Sequence, residues 1–169
     1  MKRIAKFEKV SFDEFKKGWT DVYGSDCGAE AAYNNIKLPV RATAGSAGYD
    51  FFVVSPLELE PGMTAKIPTG IRVRIDEGWV LKIYPRSGLG FKFRLQLNNT
   101  VGIIDSDYYN SDNEGHIFIK ITNDSKENKT VSLREGDAFA QGVFVEYGIT
   151  VDDEATAERN GGFGSTSGK

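Results

Sequence analysis

Apolar and polar residues alternate with a period of two along most of this chain. Ile71-Arg72-Val73-Arg74-Ile75 and Ile117-Phe118-Ile119-Lys120-Ile121 show it most clearly, and the period predicts strands that bury one face. Segments 49–54, 79–84, 101–104, 130–133 and 138–147 are further strand candidates. Turn signals stand between them at Pro61-Gly62, Pro68-Thr69-Gly70, Asp76-Glu77-Gly78 and Glu135-Gly136-Asp137. Ile36-Lys37-Leu38-Pro39-Val40 reads as an edge strand, because proline donates nothing to a ladder. Many short strands at regular spacing predict an all-β sandwich, jelly roll or barrel, with no second helix of any length.

The two ends break this pattern. Ser11 followed by Glu14 makes a capping box, and Phe12, Phe15 and Trp19 recur at helical spacing, so residues 12 to about 21 are expected to form a short amphipathic helix packed on the domain. Tyr23 to Asn35 reads as a loop or linker. The tail from Glu158 interleaves Gly161, Gly162, Gly164 and Gly168 with Ser and Thr, so alone it is expected to be mobile. The chain thus divides into an extension with a short helix over 1–35, a β domain over 36–157 and a carboxy-terminal arm over 158–169.

Composition narrows the class of function. Of 169 residues, 40% are hydrophobic and 27% charged, which suits a globular domain and argues against wholesale disorder or a membrane span. With 21 Lys and Arg against 24 Asp and Glu the net charge is -3, so no broad basic surface is expected for a nucleic-acid backbone. Cys27 is the only cysteine, which excludes an intrachain disulfide or a thiolate cluster and points to a reducing compartment. Residues 1–10 are basic and lack the apolar stretch of a signal peptide, so a cytoplasmic location is expected, with no membrane partner.

Three segments carry candidate chemistry. The tail is dense in backbone N–H and hydroxyl donors with Arg159 at its root, which suits either wrapping a phosphate chain or a merely solubilising role. It is not a Walker loop, since Phe163 stands where that loop requires glycine. Asp105 closes the apolar run Val101-Gly102-Ile103-Ile104, and its carboxylate either caps a turn or serves as a general base. The stretch from Asp105 to His116 is no EF-hand, because its sixth position is Asn110 and its twelfth His116. His116, the only histidine, is expected to face outward from a strand; it supports neither a zinc site nor a Ser-His-Asp triad. Pro85-Arg86-Ser87-Gly88-Leu89-Gly90, after a predicted strand, reads either as an anion nest or as an ordinary turn.

In order, five segments resemble the five motifs of the homotrimeric dUTPases, the deoxyuridine triphosphate nucleotidohydrolases. They are Gly45-Ser46-Ala47-Gly48-Tyr49-Asp50, Pro85-Arg86-Ser87-Gly88-Leu89-Gly90, Asn99 through Tyr108, Gly136-Asp137-Ala138-Phe139-Ala140-Gln141, and Arg159 through Thr166. The resemblance spans residues 45–166 and implies a jelly-roll-like β fold assembled as a threefold trimer. In that family each active site takes its first, second and fourth motifs from one chain, the third from a neighbour and the arm from another.

By the same resemblance, Asp105 is the general base that activates a water for attack on the α-phosphorus of dUTP, releasing dUMP and pyrophosphate. Asn99, with the backbone of Ile103 and Ile104, reads the uracil edge, Tyr108 packs on the deoxyribose and Phe163 covers the base. Arg86, Ser87, Gly88 and Gln141 hold the α and β phosphates, and Arg159, Gly164, Ser165 and Thr166 the γ. Magnesium is implied, bound through the phosphates and waters, with Asp50 as an outer partner rather than a direct ligand. The activity so implied limits uracil incorporation into DNA and supplies dUMP for dTMP synthesis.

Three departures stand out. The family usually has one residue between the tyrosine of the third motif and the next glycine, whereas Tyr109–Glu114 supply six. Ala138 stands where the fourth motif usually has arginine, and the extension through Asn35 has no counterpart in the minimal pattern. A dCTP deaminase of the same fold would need a catalytic glutamate at Asp105 and a differently built serine and arginine loop. A nucleotide-sensing relative without turnover is argued against by Asp105, Arg86 and the arm.

Overall fold

The structure, a computed structural model, describes residues 1–157, Arg159 and Gly161. The chain opens with β1 (Ala5–Lys9), α1 (Phe12–Tyr23) and α2 (Ala29–Asn35). It continues through β2 (Val40–Arg41), β3 (Tyr49–Phe52), β4 (Leu57–Leu59), β5 (Thr64–Pro68), β6 (Ile71–Ile75) and β7 (Trp79–Pro85). Then come α3 (Ser87–Phe93), β8 (Leu95–Leu97), β9 (Gly102–Ile104), a 3-10 turn over Ser106–Asn110, β10 (Phe118–Asn123), β11 (Val131–Leu133) and β12 (Ala138–Glu146). No helix among the described residues is long and apolar enough to cross a membrane.

The strands form a five-stranded sheet in the order β2-β3-β12-β7-β9, a three-stranded sheet β5-β10-β8 and the pairs β1-β6 and β11-β4, all antiparallel. Period-two alternation explains why they close on one core. Phe51, Leu81, Ile83 and Phe139 project inward from the larger sheet, while Leu95, Ile119 and Ile121 do so from the smaller. Each such side chain contributes roughly 1.5–3 kcal/mol by leaving water. This is the jelly-roll-like, all-β architecture expected from the sequence.

The differences begin in the amino-terminal segment, and α3, a helix over Ser87–Phe93, also departs from the expectation of no second helix. Residues 5–9 are a strand, β1, hydrogen-bonded along β6, and the expected linker contains α2. Phe15 of α1 packs against Trp19 and against Tyr33 of α2 at ring separations of 5.8 and 5.6 Å, so one face of the first helix, with Phe15, Gly18 and Trp19, is buried against the second helix and the domain. The expected edge strand over 36–40 is short, only Val40 and Arg41 pairing with β3.

The capping box is half local. Ser11 Oγ accepts from the Glu14 N–H at 3.2 Å, as expected, but the Ser11 N–H donates to Glu114 Oε2 at 2.8 Å rather than to Glu14. Ser11 Oγ in turn donates to Glu114 Oε1 at 2.6 Å. Glu14 is buried instead, and desolvation raises its carboxyl above the ordinary value.

His116 corrects the expectation of an outward-facing strand residue. It precedes β10, is fully buried, and its Nε2 accepts the Gly70 N–H at 2.9 Å, which fixes the proton on Nδ1. Desolvation pushes its pKa down from 6.5 to about 4. A folded value below the unfolded one means that stability is fully present above pH about 6.5 and is lost as pH falls toward 4. This one group is expected to cost roughly 2–3 kcal/mol between pH 7 and 4.5. His116→Gln, which keeps an acceptor for Gly70, is expected to flatten that part of the profile in urea titrations at both pH values. Equal slopes for variant and parent would remove His116 from the account.

Candidate active site

The third-motif residues gather around a cleft of about 660 Å³, a volume typical of small-ligand sites. Asn99 stands in the turn between β8 and β9, where Thr100 N–H donates to Leu97 O at 2.9 Å and Val101 N–H to Asn99 O at 2.7 Å. Asn99, Ile103, Ile104, Tyr108 and Arg159 all line the cleft over an apolar floor that includes Ile83 and Ile117. Hairpin backbone on one side and an aromatic ring on the other suit a flat heterocycle with a sugar.

Asp105 follows β9 directly and is the residue before the 3-10 turn. Its side chain makes no capping hydrogen bond there, so of the two sequence readings the turn-cap is excluded. The carboxylate, about half exposed, accepts from Arg159 Nη2 at 2.6 Å, and Asp107 accepts from Arg159 Nε at 2.9 Å. An ion pair this exposed is worth at most about 1 kcal/mol, so an incoming anion exchanges with it at little cost. The guanidinium carbon also stands 5.8 Å from the centre of the Tyr108 ring.

Tyr108 is only 6% exposed and its hydroxyl is fully partnered. It donates to His116 O at 2.8 Å and accepts from Asn113 Nδ2 at 2.9 Å. Burial raises the phenol above its ordinary value, so it stays protonated and neutral. The segment returns through Gly115 in the left-handed region, φ 72°, where a β-carbon would stand 2.8 Å from both Tyr108 O and Tyr109 Cα.

A second group forms where β7 ends. Arg86 is the N-cap of α3 and makes no side-chain cap; Ser87 and Gly88 open the helix, and the Leu89 and Gly90 N–H groups both donate to Arg86 O, at 3.1 and 2.9 Å. The segment is therefore a strand-to-helix junction rather than an ordinary turn. Arg86 Nε stands 3.3 Å from Asp50 Oδ1, and Gln141 lies opposite both Asp50 and Tyr84 with its amide donating to Pro85 O at 3.3 Å. Among the described residues no group of three or more His, Cys, Asp or Glu is placed to hold a metal ion.

The two groups sit at opposite ends of β7. Leu81 pairs with Ile104, beside Asp105, and Pro85 pairs with Ala140, beside Arg86. Five residues of strand separate Leu81 from Arg86, about 17 Å at ~3.3 Å per residue. One chain therefore brings Asn99, Ile103, Ile104, Asp105, Tyr108 and Arg159 together, and separately Asp50, Arg86, Ser87, Gly88 and Gln141. Phe163, Gly164, Ser165 and Thr166 lie outside the described residues. Asn113 is a contact that the sequence did not single out, and it falls in the long segment after Tyr108, the only signal that pointed there; His116 was singled out, but as an outward-facing residue rather than a buried partner of Tyr108.

A jelly-roll protein with a heterocycle-sized cleft and an arginine-bearing strand end is one built to take a phosphorylated small molecule. A family model described as dUTPase matches residues 34–167. The deoxyuridine 5'-triphosphate nucleotidohydrolase of Lactococcus lactis subsp. lactis is 42% identical over 134 residues, covering 78% of this chain and 88% of that protein. A dUTPase structure from Streptococcus mutans superposes with a TM-score of 0.62 at 35% identity, covering 87% of this chain and 98% of that one. A mutant dUTPase of the Staphylococcus aureus phage phi11, described as coordinating a structural Mg(II) ion, shares the fold with a TM-score of 0.62 at 24% identity, covering 93% and 98%. The chain belongs to the dUTPase family.

Gly48 offers a test of the Arg86 group. A β-carbon there would stand 2.7 Å from Gln141 Oε1. Gly48→Ala is expected to push the Gln141 amide off Pro85 O and to cost about 0.5–1.5 kcal/mol, the worth of that hydrogen bond. In the Gln141→Ala background the same change is expected to cost little, because the obstructing amide is gone. Denaturant melts of the four proteins measure the coupling.

Proposed function

We propose that this protein hydrolyses dUTP to dUMP and pyrophosphate, and that Asp105 is the general base. The observation that carries the assignment is a carboxylate at the end of β9 whose partner among the described residues is an exchangeable ion pair, beside a cleft lined by Asn99, Ile103, Ile104 and Tyr108. Asp105 accepts a proton from water, the water oxygen bonds to the α-phosphorus, and the bond to the bridging oxygen of the β-phosphate breaks as pyrophosphate leaves. Asn99 and the backbone of Ile103 and Ile104 read the uracil edge in a hairpin too tight for a 5-methyl group, and Tyr108 packs on the deoxyribose where a 2'-hydroxyl would clash. Arg86, Ser87, Gly88 and Gln141 hold the α and β phosphates. Arg159, Gly164, Ser165 and Thr166 hold the γ phosphate, with Phe163 over the base.

Magnesium, if held through the three phosphates, offsets their charge. The hard-oxygen side chain beside the phosphate-holding group is Asp50, which suits contact with the ion's water shell. A cytoplasmic role in limiting uracil incorporation into DNA and supplying dUMP for dTMP synthesis accompanies this reading. The free thiol of Cys27 suits a reducing compartment.

The proposal includes a homotrimer with sites shared between chains. Its support is the length of β7: an α-phosphate on Arg86 lies about 17 Å along the strand from Asp105 of the same chain, too far for a base that must reach a water attacking that phosphorus. A second arrangement for the arm is favoured by one observation, that Arg159 already lies on Asp105 of its own chain.

Two experiments bear on these readings. Asp105→Asn keeps the size of the side chain but cannot take a proton, so purified protein is expected to bind dUTP and to lose turnover by ~100-fold or more. Near-parental hydrolysis would exclude Asp105 as the base. For the arm, Asp105→Asn and a truncation ending at Glu158, each inactive alone, are unfolded and refolded together in equal amounts. If base and arm come from different chains of a closed ring of three, about one quarter of the parental activity is expected to return. Continued inactivity of verified mixed trimers favours the same-chain arrangement.

A further inference from the structure

We propose that Asn113 is a positioning residue for Tyr108, and that the amino-terminal extension holds Asn113 in place, so that discrimination against a 2'-hydroxyl is set partly from outside the cleft. The proposal rests on the reading of Tyr108 as the residue that packs on the deoxyribose. A steric filter is only as sharp as its wall is immobile, and the hydroxyl end of the Tyr108 ring is held by two hydrogen bonds. One runs from its hydroxyl to His116 O, and the other arrives from Asn113 Nδ2.

The Asn113 amide has one workable orientation. Its Oδ1 accepts the Gly115 N–H at 3.2 Å and lies 2.8 Å from Ser111 Oγ, while Nδ2 faces Tyr108 Oη at 2.9 Å and His116 O at 3.3 Å. Turned over, it would set an amine against an N–H and an oxygen against a carbonyl. Asn113 thus presents a fixed donor to the tyrosine.

The segment carrying Asn113 is pinned at both ends by residues outside the stretch that the dUTPase family model matches. At one end Tyr109 Oη donates to Glu8 Oε2 at 2.5 Å, with the Arg72 guanidinium 4.3 Å from the ring centre. At the other end Glu114 takes both the Ser11 N–H and the Ser11 hydroxyl. Arg72 stands 3.8 Å from Glu8 and 4.0 Å from Glu114, linking the two ends. Glu114 also has φ 57°, a left-handed backbone that costs a non-glycine residue roughly 1–2 kcal/mol. Glycine would sit there without that cost. What glutamate adds is the side chain that reaches Ser11.

The test measures kcat/KM for dUTP and for UTP in Tyr108→Ala, Tyr108→Phe, Asn113→Ala, the double variant Tyr108→Phe with Asn113→Ala, and Glu114→Gly, with melting temperatures alongside. Tyr108→Ala is expected to collapse the dUTP-to-UTP ratio; if it does not, the underlying reading of Tyr108 fails. Given that collapse, Tyr108→Phe and Asn113→Ala are each expected to lower the ratio about three- to tenfold, mainly by admitting UTP, and the double variant to go no lower than the more affected single. Glu114→Gly, which relieves the backbone while cutting the tie to Ser11, is expected to lower the ratio about two- to threefold. An unchanged ratio in folded Asn113→Ala overturns the proposal, and should that variant not fold, an unchanged ratio in Tyr108→Phe does so. An unchanged ratio in Glu114→Gly overturns the part given to the extension.

Discussion

The register of β7 is the constraint on which the rest of the site depends. Antiparallel pairing lets a strand carry one neighbour toward each of its ends, and β7 uses this to keep β9 beside Leu81 and β12 along its whole length. Asp105 and Arg86 are therefore fixed at a distance that no side-chain rotation spans. Leu81 and Ile83 lie fully buried in the same strand, so a register slip would turn core residues toward solvent and the separation is protected by the hydrophobic core itself.

Around that frame, polar interactions fall into two kinds with different roles. The pairs between Arg159 and Asp105 and between Arg86 and Asp50 each include a partner close to half exposed, in contact with solvent that screens them. Such groups are free to trade partners as charge arrives and departs. The bonds among Tyr108, Asn113 and His116 are shielded, and a buried donor or acceptor left alone there would cost about 1–3 kcal/mol. Exchangeable contacts lie at the ends of β9 and β7, and shielded ones stand behind the Tyr108 ring.

Legibility in the sequence followed burial. Strands such as 71–75 and 138–146 were readable because one face is core, and α1 because Phe15 and Trp19 recur on one side above a serine cap. β1 was not: of its five residues only Phe7 is a large apolar one, and its partner β6 supplies the buried side. α2 is only seven residues long and has Gly28 at its N-cap with no side-chain cap, so no start signal marked it, whereas α3 carries Gly88 and Gly90, so local propensity argued against it and packing overrode it. The third-motif residues were legible as an ordered motif, and the cleft does gather them. His116 was misread because its burial comes from α1 and Gly70, neither of which lies near it in sequence. The structure also separates the Arg86 group from the Asp105 group, and no spacing along the chain carries that information.

The cap shared between Ser11 and Glu114 bears on the order in which the molecule comes to exist. The two residues are 103 apart, and a helix the length of α1 is only marginally stable by itself in water. During synthesis α1 leaves the ribosome first, yet its start cannot be fully satisfied until the chain has been made past residue 114 and β10 has begun to pair with β5. The extension is then the earliest segment translated and among the last to settle. Its closure reports that the segment carrying Tyr108 and Glu114 has already formed.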